Sequence, residues 1–264
     1  MNMIELIRTR KSVRTFDGRP LSEEDVKKLS DYAATITNPY GISVSFVFLD
    51  AKEHGLSSPV INGEHLYVAG KVPMVAHCEE AFGYSFEQFV LYAWSLGIGT
   101  TWIRGTMKRE LFEQAAETAD GELMPTVTSL GYPATERAEA DIKLRATVHG
   151  DERLEPSELF FDKTFSTPLS ASDYDDALDA VRWAPSAANR QPCRVVKDGN
   201  AYHFYLKHSS ANRSSATWDV QKIDLGISIC HFMNVTGGEF SIADPKIGTD
   251  ESTEYIATVT IKNK

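Results

Sequence analysis

The sequence predicts an α+β fold assembled from two similar halves. Two observations carry this: helix-period and strand-period segments are interspersed along the chain, and the same order of parts occurs twice. Pro20-Leu21-Ser22-Glu23-Glu24-Asp25 recurs as Pro168-Leu169-Ser170-Ala171-Ser172-Asp173, each a helix start with Ser as N-cap and Asp three positions on. A core helix is expected next in each half. In the first, Ser85 and Gln88 form a capping box, and Phe86, Phe89, Val90, Ala93, Trp94 and Gly97 hold the helical spacing until Gly97 and Gly99 close it. In the second, Val220, Ile223, Ile227 and Cys230 hold that spacing and Gly237-Gly238 ends it. Each half then closes on a β-branched strand, Thr126-Val127-Thr128 and Thr258-Val259-Thr260. The halves are placed at residues 1–150 and 158–264. The join is a charged connection near Arg145 to Asp162, and a second loop-like region spans Ala51 to Gly63.

Composition narrows the function classes. The 264 residues are 42% hydrophobic, enough to bury a substantial core. A formal net charge of -10 repels nucleic acid and anionic membrane, so neither is expected as a partner, and any anionic ligand needs a local basic cluster. The first residues carry an acid and no long apolar run, unlike a secretory signal. The most apolar stretch, Phe89 to Gly99, is shorter than the roughly 20 residues of a membrane span. Three scattered cysteines, Cys78, Cys193 and Cys230, build no disulfide framework and fit a reducing, cytoplasmic location.

A local basic cluster does exist. Arg8, Arg10, Lys11, Arg14 and Arg19 crowd the N-terminal segment, with Arg10-Lys11-Ser12-Val13-Arg14 at its centre. Two guanidiniums four apart with a hydroxyl between them suit a phosphate monoester. The residues alone equally allow a solvated basic face paired with Glu23, Glu24 and Asp25. Trp183-Ala184-Pro185-Ser186-Ala187-Ala188-Asn189-Arg190-Gln191-Pro192 reads as a proline-bounded loop whose Ser, Asn and Gln offer neutral donors and acceptors to a flat ligand, or as an ordinary loop. Leu96-Gly97-Ile98-Gly99-Thr100-Thr101-Trp102 invites a dinucleotide fingerprint, but its glycines follow a helix and Trp102 stands at the third glycine's place. What remains there is a backbone able to approach a ring closely.

Other constellations are weaker. His77-Cys78-Glu79-Glu80 lacks spaced partners, so no metal is expected. Gly83-Tyr84-Ser85 is not a nucleophile elbow. Asp224 and His231 share a helix face, as a buried pair or as separate hydrogen bonds to backbone.

Together Arg10-Lys11-Ser12-Val13-Arg14, Pro185-Ser186-Ala187-Ala188-Asn189-Arg190-Gln191-Pro192, Leu96-Gly97-Ile98-Gly99-Thr100-Thr101-Trp102 and Leu130-Gly131-Tyr132-Pro133 resemble the hallmark motifs of the nitroreductase superfamily, and Lys143-Leu144-Arg145 is similar to its basic K-x-R. The resemblance implies mixed or antiparallel sheets flanked by helices, with FMN as cofactor. It implies that Arg10, Lys11, Ser12, Lys143 and Arg145 form the phosphate cluster and that Arg14 reaches the N1–C2 edge of the ring. Backbone N–H groups near Gly99, Thr100 and Thr101 would approach N5. Ser186 and Asn189, in a loop with Pro185, Ala187 and Gln191, would contact the flavin from the other half.

In ordinary members the site forms at a homodimer interface. Here the first half has the arginines but Thr37-Asn38-Pro39-Tyr40-Gly41 where the loop should be. The second has the loop but Phe160-Phe161-Asp162-Lys163 where the arginines should be. The resemblance therefore implies an internal pseudo-dimer with one complete site, able to work as a monomer. The implied activity moves a hydride from NAD(P)H through FMN to a small-molecule acceptor such as a nitroaromatic or quinone. Reduction of enones or halogenated aromatics, and FMN binding without turnover, are the alternatives.

Overall fold

The computed structural model describes residues 2–173, 175–209 and 218–262. It divides into two compact units, one of residues 9–150 and one of residues 2–8 with 151–264. The opening helix α1 (Met3–Thr9) lies almost wholly in the second unit. It is held there by Arg8, whose Nε donates to Asp179 Oδ2 at 2.7 Å and whose Nη2 lies 3.4 Å from Asp176 Oδ1.

The first unit runs α2 (Glu23–Ala33), β1 (Ser45–Asp50), β2 (Leu66–Pro73), α3 (Cys78–Ser95), β3 (Gly99–Ile103), α4 (Arg109–Ala115), β4 (Glu122–Leu123), β5 (Val127–Gly131) and α5 (Glu139–Thr147). Its sheet has the order β1-β2-β5-β3, with β4 on β2 and every pair antiparallel. Alternation on β2 assigns its two faces. A Cβ on Gly70 would meet the Phe82 and Phe86 rings at 2.6 and 2.8 Å, so α3 packs there at close range. Tyr67 and Ala69 point the other way, into a cluster with Leu49, Ile103, Phe112 and Val127.

Ser22 caps α2 as expected, its Oγ accepting from Asp25 N at 3.1 Å. The Ser85–Gln88 capping box is corrected: α3 begins at Cys78, behind His77 in a left-handed conformation with φ 65°. Ser85 is buried mid-helix, where Asn38 Nδ2 donates to its Oγ, and Gln88 Nε2 donates to the carbonyl of Thr37. Both side chains serve a neighbouring loop, and no cap geometry is left for them.

The second unit contains α6 (Pro156–Leu159), β6 (Phe160–Asp162), α7 (Asp176–Arg182), β7 (Cys193–Asp198), β8 (Ala201–Lys207), α8 (Val220–Thr236), β9 (Glu239–Ser241) and β10 (Thr253–Thr260). Strand order is β6-β7-β8-β10-β9, with β6 parallel to β7 and the other pairs antiparallel. Gly237, at φ 62°, ends α8 where expected. Ser170 opens only a 3-10 turn over Ala171–Asp173; the cap of α7 is Asp175, which accepts from Leu178 N at 2.9 Å. The join contains more structure than a plain connection, since α5 reaches Thr147 and α6 starts at Pro156. The orders β1-β2-β5-β3 and β7-β8-β10-β9, each a hairpin, a long helix and two further strands, have the same topology.

Candidate functional site

The N-terminal basic segment is an extended strap laid along β3. Ser12 bridges Thr100 in parallel, and Val13 N donates to Thr100 O at 2.8 Å. Further on, Asn62 N donates to Arg14 O, Phe16 N to Asn62 O, and Asp17 N to Tyr132 O. Arg10 to Arg14, Gly99 to Thr101, and Gly131 to Pro133 are therefore brought together within the first unit. The glycines explain themselves in that packing. A Cβ on Gly99 would sit 2.7 Å from Val13 Cβ, and one on Gly131 would sit 2.6 Å from the Phe16 ring. Both positions admit the strap, which answers the bare backbone expected to receive a ring.

The expectation for the β3 amides changes accordingly. Gly99, Thr100 and Thr101 lie between the strap and β5, and Thr101 N donates to Thr128 Oγ1 at 3.0 Å. That N–H is spent inside the sheet. The hydroxyls of Thr100, Thr101 and Ser129 are buried there without hydrogen-bond partners.

Three of the expected cations converge. Arg10 is buried, and its ionisation is shifted down, first by burial, against the pull of Glu87, and then by the like charges of Arg145 and Arg14. Arg10 Nε lies 3.7 Å from Glu87 Oε1 and makes no hydrogen bond. Arg14 Nη1 donates to Asp141 Oδ1 at 3.1 Å, and Arg137 Nε approaches the other oxygen at 3.8 Å. Lys11 is exposed and Ser12 half-buried. Lys143 points to solvent and pairs with Glu139 one turn away at 2.6 Å, so it is not gathered with the arginines. The alternative of a solvated face paired with Glu23, Glu24 and Asp25 does not describe Arg10 or Arg14. Arg19 is at the surface, but its partner is Asp17. Guanidiniums packed closely enough to oppose each other's charge are a donor set that fits a phosphate.

In the second unit, Pro185, Ser186, Ala187, Asn189 and Gln191 belong to a tightly tied loop. Ala188, Asn189 and Gln191 have φ of 50°, 54° and 50°, a conformation costing L-residues roughly 1–2 kcal/mol each. Local bonds offset that cost. Gln191 N donates to Ser186 Oγ at 2.8 Å, Asn189 Nδ2 to Glu152 O at 3.0 Å, and Leu154 N to Gln191 Oε1 at 2.9 Å. Arg194 Nη1 donates to Gln191 O. The amide side chains read as ligand contacts thus bind the segment 152–154. Asp224, buried on α8, accepts from Ala187 N at 3.0 Å, while His231 Nδ1 is 2.9 Å from Ala180 O. Of the two options for Asp224 and His231, separate bonds to backbone are the ones found.

Sequence reasoning passed over Glu87 and Asp141, although an acid between Phe86 and Phe89 on an apolar helix was a visible signal. Cys78 and Cys193 offer no nucleophile: each is pushed up to about 12, chiefly by burial. Among the described residues no helix is long and apolar enough to cross a membrane.

This arrangement of sheets and helices is that of the nitroreductase fold. A "putative nitroreductase" of known structure from Thermotoga maritima superposes with a TM-score of 0.63 at 18% identity, covering 99% of this chain and 94% of its own. The chain belongs to the family described as "Putative TM nitroreductase", whose model matches residues 2–235. A nitroreductase family protein from Clostridium difficile aligns over 60% of this chain and 96% of its own, at 15% identity and a TM-score of 0.47. An FMN-dependent nitroreductase from the same species covers 53% of this chain and 93% of its own, at 16% identity and a TM-score of 0.43. No curated protein matches the chain.

Proposed function

We propose that this chain is an FMN-dependent oxidoreductase that takes a hydride from NAD(P)H and delivers it to a small acceptor such as a nitroaromatic or a quinone. The observation that carries the reading is the gathering of Arg10, Arg14 and Arg145 beside the strap, in a chain whose net charge is -10. So acidic a protein has no general attraction for a phosphate, and this cluster supplies a local one. Membership of the family and the FMN dependence of a related structure support the choice of ligand.

In this reading Arg10, Ser12 and Arg145 hold the phosphate, with Lys11 adding charge from the rim. Arg14, steadied by Asp141, is the cation assigned to the electron-rich edge of the ring system. Bound FMN supplies the hydride chemistry, and the side chains bind it, orient it and fix its charge. Three buried cysteines support a reducing, cytoplasmic setting.

The test is an absorbance spectrum of the purified protein with anaerobic NADH and NADPH titrations. A yellow protein bleached by either nucleotide is the expected result. FMN bound but never reduced would favour a binding protein without turnover, and failure to take up FMN would end the reading. Arg10→Ala with Arg14→Ala is expected to weaken FMN binding about a hundredfold or more, since each charge-assisted bond is worth roughly 1.5–3 kcal/mol.

A further inference from the structure

Glu87 is an anomaly on α3. It is fully buried on a helix whose neighbouring positions, Phe82, Phe86 and Phe89, are also fully buried and apolar. Buried carboxylates are costly unless paired and hydrogen-bonded. Both oxygens of Glu87 are occupied: Trp102 Nε1 donates to Oε2 at 3.1 Å, and Arg10 Nε stands 3.7 Å from Oε1. Trp102 is itself fixed against Phe86, ring centroids 4.8 Å apart. One carboxylate therefore ties the core helix, β3 and the strap at the residue where the strap's first guanidinium enters the protein.

We propose that Glu87 is the positioning residue of the phosphate site, holding Arg10 by its Nε edge and leaving the rest of the guanidinium for the ligand. The inference rests on the FMN reading above and deepens it. Arg10 faces burial and two like charges, and Glu87 is the group opposing them. Without Glu87 the guanidinium loses the opposite charge that draws it to this place, and a directed donor becomes a loose one.

A role exerted through Arg10 touches only the phosphate end of the ligand, and this makes it separable from a general structural role. The experiment compares FMN with riboflavin, which lacks the phosphate, by fluorescence titration of the full chain. Wild type should prefer FMN strongly. Glu87→Gln should cut FMN affinity about tenfold while moving riboflavin affinity less than about twofold. In an Arg10→Ala background the same change should cost nothing further, because the two residues act as one unit. Equal losses for both ligands, or additive losses with Arg10→Ala, overturn the proposal and leave the FMN reading standing. A wild type that does not distinguish the two ligands removes the phosphate assignment and this proposal with it. Should Glu87→Gln not fold, Trp102→Phe keeps the carboxylate and removes one of its anchors. It should lower the FMN-to-riboflavin preference about threefold, and an unchanged preference overturns the proposal.

Discussion

Arg10 and Arg14 each face a buried carboxylate, Glu87 and Asp141, so the strap's positive charge is rationed rather than free. The first arginine is ion-paired at 3.7 Å without a hydrogen bond, whereas the second donates directly at 3.1 Å. An anion arriving at the cluster thus meets Arg10 as the less committed group. The sheet of the second unit holds another residue whose charge state is set by burial. His203 on β8 is buried, its Nδ1 2.8 Å from Thr258 Oγ1, which also meets Tyr255 Oη at 2.8 Å. Burial lowers its pKa below the ordinary 6.5, against the weaker opposing pull of Asp198 and Asp244. Below pH 6.5 the unfolded chain takes up a proton at this imidazole while the folded one does not. The His203 contribution to stability is therefore level above pH 6.5 and turns unfavourable as pH falls beneath it, down to the folded pKa. Urea unfolding midpoints of wild type and His203→Asn should converge on acidification from pH 7 to 5.5. A gap that stays constant would show that the histidine does not carry this dependence.

At the scale of elements, the strap depends on two glycines that the sequence displayed without showing their purpose. Gly99 lies under Val13 and Gly131 under Phe16. Gly99→Ala drives a methyl into the Val13 side chain and is expected to destabilise the protein by about 2 kcal/mol, the usual cost of overpacking. Adding Val13→Ala should recover part of that loss, and denaturant curves of the three variants decide it; strictly additive losses would place the clash elsewhere. Periodicity made α8 and its glycine stop legible, and the arginine, glycine and Gly-Tyr-Pro motifs were legible as a set. The start of α3 was not, because Ser85 and Gln88 bond to Asn38 and Thr37, partners no local spacing reveals. Asp141 escaped for the same reason, being 127 residues from the group that donates to it. The amides of Asn189 and Gln191 looked available for a ligand until the 152–154 segment proved to be their partner.

Across the whole molecule, four strands of each unit follow the same order, yet the chain does not divide cleanly at its middle. Residues 2–8 belong with 151–264, so a segment more than 140 positions away in the sequence completes the second unit. No sequence pattern announced this, since α1 is short and its link is a pair of ions, Arg8 with Asp176 and Asp179. Leu6 and Ile7 are buried, and burying such side chains is worth about 1.5–3 kcal/mol each. The Arg8–Asp179 contact adds to this because Asp179 is itself mostly buried. Removing residues 2–8 should therefore weaken the second unit by several kcal/mol, up to about 6 kcal/mol, although the deletion lies at the opposite end of the chain. Hydrogen exchange reads the result by element. Amides of α7, which carries Asp176 and Asp179, should exchange much faster in the truncated protein, while those of β2 and β5 should keep their protection. Faster exchange confined to β3 and the strap, with α7 unaffected, would mean that α1 serves the first unit after all.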